Sequence, residues 1–145
     1  MKTTTDKSDD NRKKNLEKLH QEAISWKSEI DFIHDEMQFL EHLLSSKYID
    51  CLSSGLFKKI EISTKKISEE KKDGNTLLKS ILKHNTIISK FIKNNNSNSY
   101  NSFLETHKKF TVEIDNFIKK YKRLKKQIFN SIEKMMKKKE QKKLI

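Results

Sequence analysis

From Leu16 to Leu44 the apolar residues of this chain fall at alternating steps of three and four: Leu16, Leu19, Ala23, Trp26, Ile30, Ile33, Met37, Leu40 and Leu44. A half-buried strand buries every second residue. A helix that keeps one face against a neighbour buries residues three and four apart. The run therefore predicts one long helix with a coiled-coil-like seam. Phe32, Phe39 and Leu43 add a second apolar row beside its later half. A face that wide suits two neighbouring helices, so the expectation is a bundle rather than a two-stranded zipper.

Two further helices follow. One is marked by Leu56, Ile60, Ile67, Leu77, Ile81 and Ile88, with Phe57, Leu78, Phe91 and Ile92 beside them. Its middle, STKKISEEKKDGNT, lacks a clear apolar pattern and allows a break near Gly74, with Thr76 starting again. The other carries Phe103, His107, Phe110, Ile114, Phe117, Tyr121, Leu124 and Ile128 at the same steps, extended weakly by Met135 and Met136. There is no proline, and Gly55 and Gly74 are the only glycines. Sheets need turns, and turns usually need those residues. Gly55 suits the left-handed end of the first helix, and Ser53 or Ser54 could cap the second. Ser102 with Glu105 has the spacing of a capping box for the third. Residues 1–10 read as a disordered polar arm, 94–101 as a polar loop and 138–145 as a frayed basic tail.

The expected fold is all-α: an elongated antiparallel three-helix bundle, with residues 1–145 as a single domain. Taking the turns near residues 54 and 97, the first and third helices run parallel, and residues about 86 apart lie at one level. That arithmetic places the basic stretch 119–126 beside Asp35, Glu36 and Glu41. The charge is distributed to match. Residues 1–54 carry 8 basic and 11 acidic groups, 55–93 carry 10 and 4, and 94–145 carry 14 and 5. Such attraction selects alignment more than it adds stability.

The chemistry-bearing residues are few. Asp31 and His34 make one Asp-x-x-His half-motif, but a di-iron bundle needs paired motifs on several helices. His84 and His107 fall on seam positions of the second and third helices, and His20 and Glu22 fall near their level. Imidazoles and a carboxylate could hold Zn²⁺ or Fe²⁺; the alternative is a buried polar layer that sets register. Cys51 is the only cysteine and lies at a helix C-terminus, the wrong end for a reactive thiolate. Two isolated glycines cannot build a phosphate-cradling loop. The expectation is that the chain is no enzyme and has no cofactor.

Residues 119–143 hold 12 basic and 2 acidic groups. Lys119, Lys120, Lys122, Arg123, Lys125, Lys126, Lys137, Lys138 and Lys139 could meet a polyanion through counterion release. With 30 lysines against 2 arginines, the run also reflects a chain-wide bias. Arginine forks are what specific phosphate readers favour, so any nucleic-acid binding is expected to be unspecific. No apolar run approaches a membrane span, and the N-terminus lacks the apolar core of a secretory signal. The single cysteine suits a reducing compartment, so a cytoplasmic location is expected.

The positions Leu16, Leu19, His20, Trp26, Glu29, Ile30, Phe32, Glu36 and Met37, with Leu77 and His84 further on, resemble a group of uncharacterised bacterial all-helical proteins. Members look like Leu-x-x-Leu-His, then Trp-x-x-Glu-Leu-x-Phe, then Glu-Leu, with a later Leu and His seven residues apart. Ile30 and Met37 stand here where that pattern has Leu. The resemblance covers about half the chain. It implies an all-helical, stand-alone small protein and carries no activity. The function expected is a structural or interaction role through helical surfaces, with a protein partner or a second copy as a homodimer. The alternatives are a metal-binding bundle through His20, Glu22, His84 and His107, or a polyanion binder.

Overall fold

The computed structural model describes residues 4–94 and 100–143. It is all-α, with helices α1 (Thr4–Ser46), α2 (Tyr48–Ser54), α3 (Phe57–Asn94) and α4 (Tyr100–Lys143), and no strand among the described residues. Residues 1–3, 95–99 and 144–145, parts of the expected arm, loop and tail, lie outside the described residues. The backbone is helical from Thr4 and as far as Lys143. Neither end contains a proline or glycine to stop a helix.

Packing is among α1, α3 and α4, in two compact units that each draw on all three. Unit 1 comprises Met1–Asp31 and Thr76–Asp115. Its α1 core is Leu16, Ala23, Trp26 and Ile30; α3 adds Ile81, His84 and Ile88, and α4 adds Phe103, His107 and Ile114. Unit 2 comprises Phe32–Asn75 and Asn116–Ile145. Ile33, Met37, Leu40 and Leu44 face Ile60 and Ile67 of α3 and Phe117, Tyr121, Leu124, Ile128 and Met135 of α4. Almost every seam residue named from spacing is buried. Leu19, Leu77 and Phe110 are half-buried.

The expected spacing of 86 is seen in each unit to within a turn. Glu22 bonds His107 in unit 1 and Glu36 bonds Tyr121 in unit 2, both 85 residues apart, and Asp50 pairs with Lys139 at 89.

Some boundaries differ from expectation. The first helix ends at Ser46, and the seven-residue α2 intervenes before Gly55. Lys47 sits between them at φ −96°, ψ 5°, and the Ser46 hydroxyl donates to the Leu43 carbonyl at 2.8 Å. A serine that bonds back into its own turn weakens the helix there. Gly55 then ends α2 at φ 75°, the left-handed conformation expected of it. α3 opens at Phe57, past Ser53 and Ser54, and α4 opens at Tyr100, so Ser102 lies inside its first turn instead of capping it.

At Gly74, where the sequence left a break open, α3 is continuous. The buried positions of α3 run Ile60, Ser63, Ile67, Glu70, Gly74, still at steps of three and four. The frame continues, but serine, glutamate and glycine occupy it. A Cβ on Gly74 would lie 3.0 Å from Cζ of Phe117. The missing side chain gives that ring its place, so this glycine serves close approach of α4 and not a turn.

Candidate functional site

The polar residues of unit 1 form a short chain. The Nε2 of His107 lies 2.8 Å from Oε2 of Glu22, and its Nδ1 lies 2.9 Å from Nε2 of His84. A carboxylate only accepts, so the His107 Nε2 carries a proton and donates it to Glu22. One proton then occupies the His107–His84 bond. Both rings are buried, and the Glu22 side chain is 40% exposed. Aromatic rings enclose them. His84 stacks on Phe103 with centroids 4.7 Å apart and lies 4.8 Å from Phe110; Trp26 lies 4.5 Å from His107. Burial, with the neighbouring His107 in support, pushes the His84 pKa down to about 4. At neutral pH this ring is uncharged.

Three of the four metal candidates are thus brought together, but as partners of one another. The two nitrogens of His107 point away from each other and each is already bonded. One ion cannot use both, and a metal would have to break those bonds. His20 makes no hydrogen bond among the described residues, and its Nδ1 is buried without a partner. No cluster of three or more His, Cys, Asp or Glu able to hold a metal ion occurs among the described residues. Asp31 of the half-motif pairs with Lys27 at 3.0 Å.

Unit 2 holds charge pairs instead. The Tyr121 hydroxyl donates to Oε1 of Glu36 at 2.6 Å, and Lys125 donates to the same oxygen. Burial alone would raise the Glu36 carboxyl. The bonds from Lys125 and Tyr121, with the Lys125 charge, outweigh it and hold the group below the usual carboxylate range. Burial, and then the Glu36 acceptor, push the Tyr121 phenol above its ordinary range. Lys71 reaches Glu41 at 3.2 Å. The buried Glu70 meets Lys120 at 3.0 Å; the hydrogen bond to it, then its charge, with Asp73 and Glu69 in support, raises the lysine's pKa. The placing of 119–126 beside Glu36 is as the level arithmetic required. Glu70 was missed, because a buried carboxylate gives no apolar signal. Its place three residues after Ile67 was the available clue.

The basic candidates divide between paired and unpaired positions. Lys120, Lys125 and Lys139 pair with Glu70, Glu36 and Asp50, and Lys137 pairs with Glu133 along α4. Lys119 and Lys138 are likewise engaged. Lys122, Arg123 and Lys126 are exposed and form no ion pair among the described residues.

The second apolar row has a different fate from the seam. Phe32 is 65% exposed and Phe39 59%, seven residues apart on one side of α1. On α4, Phe129 at 42% and Met136 at 50% repeat that spacing. Glu36 stands four residues after Phe32 and three before Phe39, so it shares their side of the helix. Lys125 stands four before Phe129. Because Glu36 and Lys125 meet, both exposed pairs flank the same α1–α4 seam of unit 2. No protein-family model, curated protein or solved structure matches this chain. Among the described residues, no helix is long and apolar enough to cross a membrane.

Proposed function

We propose that this chain is a non-catalytic, cytoplasmic helical protein that works by docking another protein on the α1–α4 face of unit 2. The observation that carries this reading is the strip Phe32, Phe39, Phe129 and Met136, four large apolar side chains exposed at matched spacing beside one seam. Scattered exposed apolar residues are ordinary, but an aligned strip with a charged border is what an interaction site presents. The three long helices form an antiparallel three-helix bundle of the coiled-coil kind. The residue separations of 85 within each unit support that arrangement. The Glu22–His107–His84 layer, with both rings buried, sets the alignment of these helices, as buried polar residues do in coiled coils. Its atoms satisfy one another, which favours this role over metal binding.

A photoreactive amino acid at position 39 tests the reading. Under illumination in cells it should join the chain to a discrete polypeptide. The same group at Val112, an exposed apolar position of unit 1, should not. No adduct at 39, or equal adducts at both positions, would count against a docking face there.

A further inference from the structure

We infer that the occupant of this face is a second copy of the chain, seated in parallel so that the α1 edge of each copy lies over the α4 edge of its partner. The inference rests on the docking reading above and goes further by naming the partner.

The charge on the two edges of the strip carries it. The chain has 32 Lys and Arg residues among 145, yet residues 28–46 contain none. That is its longest stretch without a basic residue. The part of it in unit 2 holds Phe32 and Phe39 together with Asp35, Glu36 and Glu41. The opposite edge of the same strip is α4, where Lys122 and Lys126 are exposed beside Phe129. Asp35, Lys122 and Lys126 form no ion pair among the described residues. The acids further in are already used: Glu36 by Lys125 and Tyr121, Glu41 by Lys71. What remains is an apolar centre with the carboxylate of Asp35 on one edge and the lysines Lys122 and Lys126 on the other.

Such a face is complementary to itself. A two-fold axis parallel to the helices brings α1 of one copy over α4 of the other, acid against lysine, twice. An axis across the helices would instead lay α1 on α1 and α4 on α4, with acids facing acids and lysines facing lysines. Like charges in direct opposition oppose docking, so charge selects the parallel pairing. The 85-residue offset between α1 and α4 in this unit puts Asp35 near the level of residue 120, within a turn of Lys122. Phe39 comes near the level of residue 124, little more than a turn from Phe129. A foreign polyanion has no use for the acidic edge, and a foreign basic partner has none for the lysines.

Sedimentation of the full chain with paired charge reversals tests this. The wild-type chain should sediment as a dimer. Asp35→Lys alone and Lys122→Glu alone should each weaken self-association at least tenfold, because each places like charges at both contacts. An equimolar mixture of the two variants should dimerise again, since both contacts become opposite in sign. Phe39→Ser should also give a monomer with unchanged helical circular dichroism. Dimers unaffected by Phe39→Ser, or variants that stay apart when mixed, would overturn the inference. A monomeric wild type would overturn it too, and the melting temperature then locates the fault. If Phe39→Ser leaves melting unchanged, the face is open and only the second copy is wrong. If it lowers melting sharply, Phe39 is packed within the chain and the docking reading falls with it.

Discussion

His84 shows how far one side chain depends on its surroundings. In water an imidazole takes a proton near pH 6.5. Here Phe103 and Phe110 lie against the ring, and His107 supplies its hydrogen bond. Its pKa falls to about 4. The unfolded chain therefore binds a proton at this residue, as pH falls below about 6.5, before the folded chain does. Stability from this residue is complete above that pH and is lost as pH falls towards 4. The loss is on the order of 2 kcal/mol, allowing for the neighbours that share the proton. The melting temperature should thus drop between pH 6.5 and 4, and His84→Gln should flatten that part of the profile. Glutamine keeps a group that can bond His107 but does not titrate. An unchanged profile in the variant would assign the acid lability to other groups, Glu36 among them.

At the scale of the element, α3 is the instructive helix. Its ends are ordinary apolar heptads, but its middle relies on Ser63, Glu70 and Gly74 at buried positions. Read for hydrophobicity, that stretch looks like a break. Read for position, the steps of three and four never stop. The residues that hold the helix in place there belong to α4: Lys120 for Glu70 and the Phe117 ring for Gly74. A glycine inside a helix costs about 1 kcal/mol relative to alanine. Gly74→Ala should nonetheless lower stability, because the new methyl would press on Phe117, and overpacking costs about 1–3 kcal/mol. In a Phe117→Leu background the same substitution should raise stability instead. Chemical denaturation of the four proteins of this cycle measures the reversal. If Gly74→Ala stabilises the wild-type chain as well, the contact with Phe117 is not what selects glycine.

At the scale of the molecule, the level spacing brings carboxylates of the first two helices against basic α4: Glu36 of α1 meets Lys125, and Asp50 of α2 meets Lys139. The same matching joins Glu22, His107 and His84 into a satisfied layer instead of an open ligand set. A chelator should therefore leave the melting temperature of purified chain unchanged, and added Zn²⁺ should not raise it. A ligand that binds only the folded state must raise it. A chelator-induced fall of several degrees, with metal co-purifying near one per chain, would turn the layer into a metal site.

Periodicity along the chain was enough to determine helix, the number of long helices and which residues form the seam, because burial on a helix repeats every three to four residues whatever the partner is. Loop placement added the level of α4 on α1, since rise per residue is constant. What it could not decide was the fate of residues whose role depends on atoms from another helix. Phe32 and Phe39 looked like an extension of the buried face, and only the path of α4 left them exposed. Gly74 left a break open, and only the approach of Phe117 made it a contact. Glu70 lay in a stretch without a clear apolar pattern, and only the packing showed it buried against Lys120. The physical reason is the same in each case: a local pattern reports which side of a helix a residue is on, while packing reports what is already standing there.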